Sequence, residues 1–212
     1  MGKQLITQEQ IMDVLDTCYV KAIQGIPGSK TCEDLAYEYL SKYRDPNVAA
    51  KKLIDAQIAK CTTSGFITNL GGAITLPVAI PANIASVMYV QMRMIASLAV
   101  IGGQDVDSDE VQTLVYLCLA GTSITDICKS AGVQIATKLT TNLIKKLPRV
   151  VLTKINQRVG FRLITKFGTK SIITLGKMVP VAGGILGGGV DFATTKIIAN
   201  KAYKMFLLNE ID

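Results

Sequence analysis

Five basic residues recur at intervals of four in one segment of the chain: Lys154, Arg158, Arg162, Lys166 and Lys170. Residues four apart lie on the same face of an α-helix, and the opposite face of this segment is apolar. The spacing therefore predicts a basic amphipathic helix. Near an anionic bilayer each Lys or Arg contributes about 1 kcal/mol of attraction, so these side chains are candidates for holding phospholipid headgroups.

The charge pattern around this helix favours an anionic partner. Between Asp126 and Asp191 the chain has eleven bases and no acid, and the formal net charge is +7. A cationic face that is merely solvated is the main alternative, because amphipathic helices are common. Nucleic acid is a less favoured partner, because aromatic residues make up only 6% of the chain and Trp is absent.

The second candidate site consists of two isolated charged residues, each of which lies next to an apolar segment. The 32 residues of 61–92 contain no charged residue, and Arg93 follows them directly. Asp191 is the first acid after 64 residues and follows a glycine-rich segment. A charge beside apolar surface requires a partner. We therefore predict a buried ion pair between Arg93 and Asp191.

The uncharged segment is long enough to span a membrane, but prolines interrupt it. Pro77 and Pro81 would break a helix, so we expect a proline elbow and a second helix over about 82–101. Closely spaced glycines at 183–189 would let an acyl chain approach the C-terminal helix. The apolar side chains of these segments predict a cavity for a phospholipid or fatty acid, lined by Ile80, Ile84, Met88, Met92, Ile95 and Ile185.

Several kinds of chemistry are disfavoured by the composition. The chain has no histidine, which removes Ser-His-Asp and Cys-His catalysis. Its five cysteines form no C-x-x-C pair, which predicts reduced thiols in a cytoplasmic setting and no metal site. We expect no cofactor and no catalytic residues. An enzyme that uses Lys177 or Asp191 is the remaining catalytic alternative, and no substrate class follows from their spacing.

Helical periodicity runs through the whole chain, and no strand pattern competes with it. We expect an all-α, single compact domain of eight to ten helices over 1–212, arranged around the proline-broken hairpin and a glycine-rich C-terminal helix. The helices of 1–45 are expected at its periphery. Predicted helices cover about 8–24, 31–43, 46 onward, 82–101, 109–120, 123–146, 149–167 and 181–208. A hydrophobic fraction of 49% and a mean hydropathy of +0.35 are high for such a domain.

Three stretches resemble the EcsC family: TLPVAIPANIASVMYVQMRMIASLAVIGGQD (75–105), KINQRVGFRLITKFGTK (154–170) and GKMVPVAGGILGGGVDFATTKIIANKAYKMF (176–206). The resemblance extends from about Lys51 onward. It implies a helical bacterial protein at the membrane periphery, because the founding member is associated with a transporter operon. It gives emphasis to Pro81, Arg93 and Asp191, and it supplies no catalytic residue.

These observations favour a non-enzymatic phospholipid-binding protein at the cytoplasmic face of a membrane. Acyl chains would lie in the apolar cavity, and headgroups would lie on the basic helix. Two alternatives remain open. The protein could be a peripheral accessory of a membrane transporter, with its apolar surface covered by protein. It could also insert its apolar hairpin into the bilayer and form a pore.

Overall fold

The computed structural model describes residues 7–62, 82–121, 124–132, 145–167 and 180–210. These ranges contain eight α-helices and no strand, as an all-α fold requires. The helices are α1 (Gln8–Gln24), α2 (Cys32–Tyr43), α3 (Pro46–Thr62), α4 (Ala82–Ile101), α5 (Asp109–Ala120), α6 (Ile124–Ser130), α7 (Arg149–Phe167) and α8 (Pro180–Leu207). The number of helices and most of their bounds agree with the prediction.

Side-chain caps determine where the first helices begin. Thr7 accepts a hydrogen bond from the backbone N–H of Gln10, and the Gln10 side chain accepts one from Thr7 in return. Thr31 and Asp34 form the same reciprocal box at the start of α2. Such boxes satisfy two backbone donors that a helix start leaves unpaired. They make Thr7 the N-cap of α1 and Thr31 the N-cap of α2.

Helix α4 lies at the centre of the fold. It packs against α1, α2, α3, α5 and α8, and residues 85–99 are all buried. A helix that is apolar all round requires such coverage on every side. Helices α1 and α2 contribute Val14, Leu15 and Leu35 to the same core. Within the ranges that the structure describes, no helix has the length and hydropathy needed to cross a membrane.

A glycine and a proline lie at boundaries where helices end or meet. Gly102 follows α4 at a point where the backbone of Phe206 in α8 approaches so closely that a Cβ would clash. Pro180 begins α8, which continues as helix through the glycine-rich segment. The predicted glycine-rich helix is therefore present, although the side chains of 180–192 are outside the described set.

One predicted helix, over 123–146, is wrong as a continuous element. Helix α6 ends at Ser130, and residues 131–132 form a turn in which Gly132 has φ of +82°. Glycine adopts this left-handed conformation without strain, so it ends a helix that the apolar periodicity alone would extend. Residues 133–144 lie outside the described ranges.

Candidate functional site

Helix α7 carries the predicted basic face, and its two sides differ sharply. Leu152, Ile155, Val159 and Leu163 are buried and attach the helix to the core. On the other side Lys154, Arg158 and Arg162 are exposed. The helix packs against α1, α5 and α6. The four-residue spacing thus places three cations on the solvent side, as expected for an amphipathic helix.

Two large apolar side chains share this exposed face. Val150 is 68% exposed and Phe161 is 56% exposed. They lie eleven residues apart, which is about three turns at 3.6 residues per turn, so they occupy nearly the same stripe of the helix. Lys154 lies one turn after Val150, close to the same stripe. The outer face of α7 is therefore both cationic and apolar.

A groove of about 510 Å³ lies where α7 meets the start of α1 and the turn after α6. We call it the basic groove. The described part of its lining contains two bases and no acid. The lining residues are Gln8, Ser130, Ala131, Gly132, Lys154, Gln157, Arg158 and Phe161.

Hydrogen bonds leave several polar atoms of the basic groove available for a ligand. The Gln8 side-chain amide donates to the backbone carbonyl of Gln157 at 3.3 Å, which leaves the Gln157 side chain uncommitted by that contact. The Ser130 hydroxyl donates to the Ile127 carbonyl at 2.7 Å, so its oxygen lone pairs can still accept. Within the described ranges neither Lys154 nor Arg158 forms an ion pair.

A second groove, of about 550 Å³, lies between α1, α5 and α7, and we call it the acidic groove. It shares Gln8 and Gln157 with the basic groove. The described residues of its lining include three acids and one base. The lining residues are Gln8, Glu9, Met12, Asp16, Asp109, Gln112, Thr113, Arg149, Leu152, Thr153, Asn156 and Gln157.

Polar groups of the acidic groove bind one another. Asp16 accepts a hydrogen bond from the Tyr116 hydroxyl at 2.6 Å and one from the Gln112 amide at 3.2 Å. Arg149 forms an ion pair with Asp109 at 3.1 Å. Burial raises the pKa of the Tyr116 hydroxyl, and the Asp16 carboxylate raises it further, so the hydroxyl stays protonated and donates. These contacts connect α1, α5 and α7.

Arg93 is buried, as predicted, and its guanidinium binds the loop between α1 and α2. It donates to four oxygen atoms: Ser29 Oγ at 3.2 Å, Tyr89 OH at 2.9 Å, the Lys30 carbonyl, and the Thr31 carbonyl at 3.5 Å. Asp191 belongs to α8, but its side chain is outside the described set. The Arg93–Asp191 ion pair therefore stays a prediction. The four hydrogen bonds position the guanidinium without it.

The other predicted site residues are described only in part. Met88, Met92 and Ile95 are at most 1% exposed and belong to the core. Whether they line a cavity stays a prediction. The other three residues predicted for that cavity cannot be placed in the same way: Ile80 lies outside the described ranges, and the side chains of Ile84 and Ile185 are outside the described set. The side chain of Lys166 is also outside the described set, and Lys170 and Lys177 lie outside the described ranges.

The cysteines show no feature of a reactive site in the described ranges. All five are buried, and burial raises the pKa of the Cys18 and Cys32 thiols to about 12 and that of Cys128 to about 11. Such thiols stay protonated at neutral pH, whereas the thiolate is the nucleophile. Among the described residues no group of acids or cysteines is arranged to hold a metal ion.

Sequence reasoning missed Gln8, Ser130 and Gln157 as groove residues. They are separated by up to 149 positions, and each is an ordinary exposed polar residue in the sequence. Only Gln157 carried a usable signal, because it lies on α7 one turn before Phe161 and one turn after Thr153.

Comparison with known proteins assigns nearly the whole chain to one family. The model of the EcsC protein family matches residues 2–208. This match includes α1 and α2, which the sequence resemblance from about Lys51 onward did not cover. No curated protein and no solved structure shows a significant match.

Proposed function

The chain belongs to the EcsC family, and we propose that it is a non-enzymatic protein that associates with anionic phospholipid through the outer face of α7. Lys154, Arg158 and Arg162 attract the headgroups, and Phe161 with Val150 enters the boundary between headgroups and acyl chains. Interfacial helices combine bases and apolar side chains in this way. In this proposal the protein lies on the surface of the membrane.

The exposure of Phe161 is the observation that carries the proposal. A cationic face by itself is compatible with simple solvation. A Phe that is 56% exposed among bases is better suited to a membrane interface, because its ring leaves water there while the bases meet phosphate. Val150 extends the same stripe three turns away.

The expected affinity is modest. Three bases at about 1 kcal/mol each give roughly 3 kcal/mol of attraction. Insertion of Phe161 adds roughly 1–2 kcal/mol, since full burial of such a side chain is worth about 1.5–3 kcal/mol. The total is about 4–5 kcal/mol. It corresponds to a dissociation constant of about 1 mM, expressed as the concentration of lipid. Association would be reversible and sensitive to salt.

Vesicle sedimentation tests this proposal. The full chain is mixed with phosphatidylcholine vesicles that do or do not contain phosphatidylserine. We expect binding only to the anionic vesicles, and a loss of roughly 30-fold in Lys154→Ala/Arg158→Ala, because two bases are removed. The matched control is Lys196→Ala/Lys204→Ala, which removes the same charge from the exposed side of α8. An equal loss in both variants, or no binding by the unchanged protein, contradicts the proposal.

Two further measurements separate this mode from its alternatives. Dye release from the same vesicles would indicate a pore, whereas surface association leaves the dye inside. Retention by transporter-containing membranes but not by protein-free vesicles would favour the accessory role. The predicted acyl-chain cavity at Met88, Met92 and Ile95 is tested separately, by native mass spectrometry for co-purified phospholipid or fatty acid.

A further inference from the structure

The lining of the basic groove combines three kinds of side chain. Lys154 and Arg158 are cations, Gln157 and Ser130 are neutral hydrogen-bonding groups, and Phe161 presents an aromatic ring. A surface that attracts anions by charge alone needs only the first kind. The presence of all three in one concave site indicates a ligand with more structure than a bare anion.

The two cations define the anionic part of such a ligand. Among the described residues the groove contains no acid, and neither cation forms an ion pair there. The guanidinium of Arg158 has a planar fork of donors that fits two oxygens of a phosphate, and Lys154 supplies a point charge beside it. A phosphate group meets both requirements.

The neutral groups define the remainder of the ligand. Because the Ser130 hydroxyl already donates to the Ile127 carbonyl, it is left to accept from a ligand. The Gln157 amide can both donate and accept. Hydroxyl groups satisfy both residues. A volume of about 510 Å³ lies in the range of sites for ring-sized molecules and exceeds what one phosphate fills.

We propose that the basic groove binds a phosphorylated polyol: a phosphate monoester carried on a ring or chain with free hydroxyl groups, presented as a lipid headgroup. This inference rests on the proposed function and deepens it from charge attraction to headgroup selection. The phosphate contacts Lys154 and Arg158, the hydroxyls contact Ser130 and Gln157, and the carbon face packs on Phe161. The acidic groove next to it repels phosphate and marks one boundary of the site.

Vesicles of matched total charge test the selection. Phosphatidylcholine vesicles carry either phosphatidylinositol phosphate or enough phosphatidylserine to give the same anionic charge. We expect the full chain to bind the first kind at least tenfold more tightly. Ser130→Ala/Gln157→Ala, which changes no charge, should reduce this preference to within twofold and leave binding to phosphatidylserine vesicles unchanged.

Gln24→Ala/Ser41→Ala is a matched control. Both residues are exposed, and the Ser41 hydroxyl donates to the Glu38 carbonyl at 2.9 Å, just as Ser130 donates to a carbonyl three residues before it. This control should keep the full preference. Thermal unfolding of each variant by circular dichroism establishes that the fold is unchanged.

The outcomes distinguish the inference from the proposed function. Equal binding to the two kinds of vesicle overturns headgroup selection and leaves anionic association intact. Binding of soluble inositol phosphate that needs Ser130 and Gln157, without binding to any vesicle, supports the groove chemistry and overturns the membrane as its source. Absence of binding in both the vesicle and soluble arms overturns the inference together with the proposed function.

Discussion

The two grooves beside α7 have similar volumes, but they differ in whether their charged side chains contact other side chains of the protein. Their volumes are about 550 and 510 Å³, and they share Gln8 and Gln157. In the acidic groove Asp16 accepts two hydrogen bonds, and Asp109 is paired with Arg149. In the basic groove Lys154 and Arg158 form no ion pair within the described ranges.

Under the proposed function, this difference separates a structural role for the acidic groove from a binding role for the basic groove. Polar groups that bind one another fix the position of α7 against α1 and α5, and they gain little from a ligand. Lys154 and Arg158 form no ion pair within the described part of the chain, so an external anion can bind them without displacing such a contact there. We therefore expect changes in the acidic groove to alter stability and changes in the basic groove to alter binding.

Reversing the charge of the basic groove should have the largest effect. Lys154→Glu/Arg158→Glu changes the charge by four, which at about 1 kcal/mol per charge predicts roughly a thousandfold loss of binding to phosphatidylserine vesicles. The thermal midpoint should stay within a few degrees, because both side chains are exposed. Vesicle sedimentation and circular dichroism measure the two quantities. A variant that binds normally would show that the site lies elsewhere.

The acidic groove should respond to Tyr116→Phe in the opposite way. The change removes the hydrogen bond to Asp16, and a bond to a charged group contributes about 1–2 kcal/mol at a partly exposed carboxylate. Urea unfolding should show this loss, while vesicle binding stays unchanged. Tyr37→Phe is the control, because Tyr37 is 60% exposed and should lose nothing. Weaker vesicle binding by the Tyr116 variant would contradict the assignment of stability to the acidic groove and of binding to the basic groove.

Phe161→Ala tests the apolar part of the α7 face. We expect roughly fivefold weaker vesicle binding, which is about 1 kcal/mol for partial insertion of the ring, and an unchanged unfolding free energy. Ile197→Ala is the matched control, because Ile197 is 52% exposed on α8. If the two variants bind alike, insertion of the α7 face is not part of the association. Vesicle sedimentation again supplies the measurement.

The smallest effect is expected for Arg149→Ala. The ion pair with Asp109 is exposed, with side-chain exposures of 84% and 50%, and such pairs contribute about 0–1 kcal/mol. Arg149 lines the acidic groove, so vesicle binding should fall by less than threefold. A loss as large as that of Lys154→Ala/Arg158→Ala would mean that charge anywhere on α7 is sufficient, whichever groove it borders.

Much of the fold could be predicted because its signals are local. The bounds of α1, α4, α5 and α7 agree with the predicted 8–24, 82–101, 109–120 and 149–167. Caps such as Thr7 and breaks such as Pro148 act within one helical turn, so they can be read from neighbouring residues. The helix predicted over 123–146 failed because apolar periodicity outweighed Gly132 in the prediction.

Only the cationic part of the candidate site was predicted from the sequence. The exposed cations follow from a spacing of four on a single helix, which needs no tertiary information. The groove requires Gln8 from the start of α1 and Ser130 from the end of α6 to meet α7. Neither residue has a pattern that distinguishes it from other exposed polar residues, because its role comes entirely from distant neighbours.

The sequence by itself determined that the chain is helical, where most helices begin and end, and that α7 has a cationic side and an apolar side. Periodicity and capping decide these properties because they depend on contacts a few residues apart. Only the tertiary structure decided that Arg93 binds the loop before α2. It also decided that three acids line one groove beside α7, while the two cations of the other groove form no ion pair with any residue in the described ranges. Packing of residues far apart in the chain sets which polar groups satisfy one another and which are left for a ligand.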